Sequence, residues 1–322
     1  MGDPAGAGPA ALAQLLSDKA TSLPALAYFG TAQSLQANGF KGEHATVSSI
    51  CEGQAVGDKT LLVIEPKDQG SAEPGIRNDT NAPSIVHSLN AATDAVLNGE
   101  AAALVTLPIH KGSLYSAGFS HPGHTEFLAD KAGLGPDDVV MMLACESLRV
   151  VPLTIHIPLS DVPKALTTDL IIRKALITHQ ALKRQFGISH PKLVIAGLNP
   201  HAGEDGSIGH EEATHIQPAL WALEDMGIQV TGPLSADTMF HAEASKHYDA
   251  ALCCYHDQAL IPIKTIDIWG GVNVTLGLPF VRTSPDHGTA FDAVATGMIK
   301  PDSTLAAIKM AERMLQQQSA AK

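Results

Sequence analysis

Apolar residues in this chain fall into short continuous runs separated by stretches of helical spacing. Ala101–Thr106, Val139–Ala144, Val150–Ile155, Leu193–Leu198 and the run that opens at Asp249 and ends at His256 read as buried strands. Leu26–Phe29 and Leu61–Ile64 read as shorter ones, and Lys67–Asn81 as a polar loop bearing Gly and Pro. Pro83–Leu97 repeats apolar residues at helical intervals (Ile85, Leu89, Ala92, Val96) and stops at Asn98-Gly99. Leu170–Phe186 is the clearest long helix, with Gly187 placed to cap its end. Glu211–Met226 and Ser303–Gln317 are further helices. The short link Cys145-Glu146-Ser147 predicts a hairpin between its two flanking strands. Strand, helix and strand in this order predict an α/β architecture.

Composition sets limits on that picture. With 322 residues, 45% of them hydrophobic, the chain can fill a core larger than one simple layer, and two lobes sharing a cleft are expected. A net charge of −12 with no basic patch argues against nucleic acid as a partner. An anionic substrate would therefore need local cations in the cleft. No run approaches the roughly 20 apolar residues of a membrane span, and Met1-Gly2-Asp3-Pro4 does not resemble a signal peptide. The four cysteines (Cys51, Cys145, Cys253, Cys254) include no CxxC pair, which argues against a disulfide framework or a Cys-zinc site. A cytoplasmic protein with no membrane partner is the expectation.

Five constellations carry candidate chemistry. Gly2–Pro9 (GDPAGAGP) runs into the alanine-rich helix that starts near Ala10, either as a tight turn or as an anion cradle of backbone N–H groups. His156, His201 and His256 each follow an apolar strand. If those strands are parallel neighbours, the imidazoles emerge at one sheet edge, and three neutral imidazoles suit a catalytic metal with an open position. Lys264, Asn273 and Arg282 form a cationic set, the two charged residues in otherwise apolar surroundings, suited to phosphate or carboxylate. Asp286-His287-Gly288-Thr289, continuing to Asp292, makes a glycine turn before a helix, able to wrap an adenine–ribose unit or to serve as a plain turn. His124 and Thr125 sit where a loop enters a helix and could cap it or face a ligand.

Read in order, GDPAGAGP, PIHKGSLYSAGFSHPGHTEFLA, GLNPHAGEDGSIGHEE, GPLSADTMF, CYHDQALIPIK and VNVTLGLPFVRTSPDHGTAFD resemble the 4-hydroxythreonine-4-phosphate dehydrogenases of vitamin B6 synthesis. DHGTAFDAVATGMIKP also resembles the adenosine-binding segment of the wider isocitrate and isopropylmalate dehydrogenase superfamily. The resemblance implies a two-lobed isocitrate/isopropylmalate dehydrogenase-like α/β/α fold with a cleft between lobes. One lobe, on the cofactor side, would be residues 1–110 plus 275–322; the other, residues 111–274, would carry substrate, metal and dimer contacts. It implies NAD-dependent oxidation of 4-phosphooxy-L-threonine followed by decarboxylation, in a homodimer with a shared active site.

Carried over by motif, His156, His201 and His256 would hold one divalent metal, zinc first, with magnesium or cobalt as alternatives. His124, Thr125, Lys264, Asn273 and Arg282 would bind substrate. Asp286, His287, Gly288, Thr289 and Asp292 would bind NAD, with NADP as the alternative. Asp257, Asp237 and Lys264 are the catalytic candidates, the two aspartates either as the proton-transfer base or as partners orienting an imidazole. Relatives carry an apolar strand before the GDPAG loop, so a truncated or misassigned start is expected. Ala10 and Ala259 stand where relatives often carry an acidic residue and glycine. The competing readings are a dehydrogenase of phosphorylated threonate or erythronate, a metal-dependent hydrolase or lyase, and a degenerate metal- or phosphate-binding relative.

Overall fold

The continuous apolar runs become strands covered on both faces. In the computed structural model, which describes residues 1–18, 20–53, 60–68, 70–116 and 118–320, the chain divides into two compact units. Met1–Leu134 with Leu278–Arg313 forms the first, and Gly135–Gly277 with Met314–Lys322 the second. The mixture of parallel strands and helices is an α/β fold.

In the first unit, three parallel strands lie in the order Ala27–Phe29, Leu61–Ile64, His44–Thr46. A second parallel pair joins Ala103–Val105 to Val281–Pro285. The first helix, Ala7–Ser17, is buried along almost its whole length and packs Leu12, Ala13 and Leu15 into a core with Tyr28, Leu35, Val63 and Ile308. Gly8 lies within that helix because a Cβ there would sit 2.7 Å from Leu107 Cβ.

The second unit orders its strands Val272–Leu276, Val140–Ala144, Arg149–Pro152, Ala250–Cys253, Lys192–Ala196, Gln229–Leu234. Val140–Ala144 and Arg149–Pro152 form the hairpin that the short link predicts. Arg149–Pro152, Ala250–Cys253 and Lys192–Ala196 are adjacent and mutually parallel. Their cores are continuous: Leu143, Val150, Val194, Ala251 and Cys253 pack together with Ile263. The helix Thr168–Gln185 is capped by the Thr167 side chain at one end, and Gly187 follows its other end with φ 68, as a helix-terminating glycine should. Among the described residues no helix is long and apolar enough to cross a membrane.

Two expectations are corrected. The strand that opens at Asp249 does not run to His256: it ends at Cys253, and His256 is the first residue of the helix His256–Ile266. Apolarity continues through Cys254 and Tyr255, but the Gln258 side chain takes over the backbone there, accepting from Cys254 N at 2.6 Å. The anion-cradle reading of the N-terminal loop also fails. Four of its amides already have acceptors inside the protein: Asp3 N donates to Pro108 O, Ala5 N to Asp3 Oδ1, Gly6 N to Asp3 O, and Ala7 N to Thr289 O. The loop is a tight, buried turn.

Candidate active site

Three neighbouring parallel strands of the second unit, Arg149–Pro152, Ala250–Cys253 and Lys192–Ala196, release their chains at the same edge. After Arg149–Pro152 the chain reaches His156, an exposed residue held in the left-handed region at φ 51. After Ala250–Cys253 it reaches His256, and the two imidazole centroids lie 5.8 Å apart. Lys192–Ala196 leads to His201, also exposed. Gln258 ties two of these strand ends together, since its Nε2 donates to Gly197 O at 2.8 Å while its Oε1 accepts from Cys254 N.

His256 is oriented by its neighbour. Its Nδ1 lies 2.7 Å from Asp257 Oδ1. A carboxylate can only accept, so Nδ1 is the donor, and in the neutral imidazole the lone pair then lies on Nε2. That tautomer is the one a metal ligand needs. Asp237, the other aspartate singled out, is exposed and accepts from Ser235 Oγ at 2.6 Å. That hydrogen bond, with a smaller contribution from His201, holds its carboxyl below the usual range. Among the described residues no group of three His, Cys, Asp or Glu side chains gathers to hold an ion. The imidazoles that meet are those of His156 and His256, with His201 after the end of the adjacent strand.

His201 begins an unusual segment. His201, Ala202, Gly203, Glu204 and Asp205 are all left-handed, with φ between 42 and 82. Each non-glycine residue in that conformation costs roughly 1–2 kcal/mol, so the surroundings must over-determine it. Just before this segment, the buried Glu212 accepts from Asn199, its Oε1 from Asn199 N at 2.7 Å and its Oε2 from Asn199 Nδ2 at 2.9 Å. Lys264 lies in the last turn of the helix His256–Ile266 and is half-buried, as is Asn273 on the strand Val272–Leu276.

The first unit holds the remaining polar residues. Arg282, on the strand Val281–Pro285, is only 3% exposed, and its Nε and Nη2 donate to Thr106 Oγ1 at 3.2 and 2.6 Å. Burial lowers its pKa to about 10, and the Glu126 carboxylate opposes that shift, so the guanidinium stays charged at neutral pH. His124 opens the helix His124–Lys131. The N-cap is Gly123, with no side-chain cap, so neither His124 nor Thr125 serves as one. Burial holds His124 well below the usual histidine range, with Arg282 and Lys111 adding to the effect.

His124 is therefore neutral at pH 7, and the sign for stability follows. The unfolded chain takes up a proton at His124 below about 6.5 and the folded chain does not, so stability is retained above that pH and declines as pH falls below it. Unfolding free energy measured from pH 8 to 5 should fall more steeply for the native protein than for His124→Gln, by up to about 1.4 kcal/mol per pH unit. Parallel curves would show that His124 protonates normally.

The turn at Asp286–Ala290 adjoins the N-terminal loop through Ala7 N donating to Thr289 O at 2.8 Å. Asp286 and His287 are half-buried, Thr289 is buried, and Gly288 and Asp292 are exposed. His110 belongs to a separate chain of contacts: its Nδ1 meets Ser113 Oγ at 2.9 Å, and Ser113 Oγ donates to Asp79 Oδ1, which also pairs with Arg77. Sequence reasoning missed Thr106, Glu126, Asn199, Glu212 and Gln258. All five stand inside the polar segments quoted above or next to an apolar run, but nothing in their spacing marks Thr106, Glu212 and Gln258 as buried.

An α/β protein with histidines at the carboxyl ends of parallel strands, and a buried arginine beside a neutral histidine, is of the ligand-binding α/β enzyme class. Residues 16–311 match the family described as pyridoxal phosphate biosynthetic protein PdxA, and the chain belongs to that family. It is 49% identical to a 4-hydroxythreonine-4-phosphate dehydrogenase of Roseobacter denitrificans, over 97% of this chain and 95% of the relative. The same-named protein of Caulobacter vibrioides is 45% identical, again over 97% and 95%. The solved 4-hydroxythreonine-4-phosphate dehydrogenase of Klebsiella pneumoniae superposes with a TM-score of 0.87 at 36% identity, covering 98% of this chain and 96% of that one.

Proposed function

We propose that this protein oxidises 4-phosphooxy-L-threonine with NAD to 2-amino-3-oxo-4-phosphooxybutanoate, which loses CO₂ to give 3-amino-2-oxopropyl phosphate, in the cytoplasmic synthesis of pyridoxine 5'-phosphate. The observation that carries this reading is the near full-length match, at 45–49% identity, to relatives named for that activity. The donor set fits a divalent cation. His256 has its Nε2 lone pair presented by Asp257, His156 lies beside it, and neutral imidazole suits zinc above harder ions. We assign the ion to His156, His201 and His256, with the set completed across a homodimer. Such an ion supplies Lewis-acid stabilisation to an ionising alcohol and to the carbonyl that replaces it.

The chain's own residues then bind and orient. Arg282, charged and preset by Thr106, suits a phosphate or carboxylate of the substrate, and Lys264 and Asn273 supply further donors. Neutral His124 can donate one hydrogen bond and accept another beside Thr125. Asp257 holds the His256 tautomer rather than meeting the substrate. Asp286 and Asp292 offer acceptors for ribose hydroxyls of NAD, and Gly288, with nothing within 4 Å of where its Cβ would stand, lets a ligand approach the backbone. Holding the phosphate fixes the carbon that loses hydride relative to the nicotinamide.

The test is an assay of purified protein with NAD, a divalent metal and 4-phosphooxy-L-threonine. NADH absorbance should rise with release of CO₂, and kcat/KM should exceed that for 4-phosphoerythronate. A higher kcat/KM for the sugar acid, or no NADH from folded protein, would overturn the reading.

A further inference from the structure

Left-handed backbone over five successive residues does not persist without something that holds it, and the buried side chain that fastens the residues just before it is a glutamate no motif assigns a role. We infer that Glu212 is a positioning residue which, through Asn199, fixes the backbone that presents the His201 imidazole; the consequence for metal binding rests on the assignment of His201 as a ligand.

The geometry is specific about chemistry. Asn199 stands two residues before His201 and turns two donors toward position 212, its backbone N–H and its Nδ2. Both Glu212 oxygens accept, at 2.7 and 2.9 Å. A third interaction holds the same amide from outside, Asn199 Nδ2 to Glu211 Oε2 at 2.8 Å. The left-handed turn then packs on the carboxyl group itself: a Cβ at Gly203 would lie 2.7 Å from Glu212 Oε2, and one at Gly197 3.4 Å from Glu212 Oε1. Backbone hydrogen bonds close the turn behind it, Ala202 N to Asn199 O and Ile208 N to Gly203 O. Glu212 opens a π-helical turn, Glu212–Ile216, a local departure that recurs at functional sites.

A position that receives two donors requires two acceptors. Glutamate has them and glutamine does not. Glu212→Gln keeps the volume but sets an amide N–H₂ against one of the Asn199 donors, so it breaks one bond without leaving a cavity. The lost bond frees the turn rather than the sheet, because the strand Lys192–Ala196 is held by its own ladders.

Hydrogen exchange on the metal-free protein, together with zinc affinity by chelator competition, tests this. In Glu212→Gln the amides of residues 199–208 should exchange at least about 10-fold faster, while those of the strand 192–196 stay as protected as in the native protein. Zinc affinity should fall by about 10- to 100-fold, the range found when partners outside the ligand set are removed. Should Glu212→Gln fail to fold, Asn199→Ala removes the side-chain bond alone and should give the same effects to a smaller extent. Native exchange and native zinc affinity in the folded variant would overturn the inference, as would exchange that rises uniformly over the whole unit. If the native protein binds no zinc and the turn is still freed, the assignment of His201 as a ligand fails and the role of Glu212 in holding the turn stands.

Discussion

His201→Asn is expected to remove bound zinc and to lower kcat/KM by at least about 10³-fold, equivalent to roughly 4 kcal/mol of transition-state stabilisation. Asparagine is the informative replacement. Position 201 has φ 53 and ψ 30, and asparagine enters that region more readily than most residues, whereas alanine would alter the backbone preference as well as delete the ring. The variant therefore keeps the turn and changes one thing, the imidazole. Its carboxamide oxygen is a poor substitute for a neutral nitrogen toward a borderline-soft ion. Metal content by mass spectrometry of the purified protein and NADH formation at saturating NAD should fall together. Full occupancy with full activity would remove His201 from the set and leave the His156–His256 pair to be completed by something else.

The same residue shows how far sequence could go. That His156, His201 and His256 follow strands was legible, because each is preceded by an apolar run too short and too β-rich to be a helix. That those strands are adjacent and parallel was only a condition in the sequence; it becomes fact through the registers Val150 to Ala251 and Val194 to Ala251. The starting point of the helix at His256 was hidden, since Cys254 and Tyr255 prolong the apolar pattern and the decisive contact, Gln258 on Cys254 N, is tertiary. The left-handed run at His201 was hidden for a different reason. Of its five residues only Gly203 advertises positive φ, and Glu212, which holds Asn199 just before the run, lies eleven positions beyond His201. Adjacent glutamates Glu211-Glu212 at the start of a helix look like solvent-facing charge favoured by the helix dipole. Only the burial of one of them separates that reading from the structure.

Arg282→Lys should lower kcat/KM by about 10²-fold and reduce kcat as well as raise KM, while the protein stays folded. As long as the lysine stays protonated the charge is conserved, and a loss of this size then comes from geometry. The guanidinium directs Nε and Nη2 to one acceptor, Thr106 Oγ1, and this fixes the plane of the fork before any ligand arrives. An ammonium on a shorter stem cannot donate to Thr106 and to an anion with the same directions, and it forfeits roughly 3 kcal/mol of charge-assisted hydrogen bonding. It also enters a buried site where a lysine loses its proton more readily than arginine, whose pKa here remains at about 10 despite burial. The division between kcat and KM decides what the arginine is for. Binding energy from a phosphate remote from the reacting carbon can be used to position that carbon, and its removal then reaches kcat. If only KM rises, Arg282 contributes uniform binding. If the loss is instead confined to pH values above about 9, and disappears at pH 7, charge alone is required and the preset fork is not.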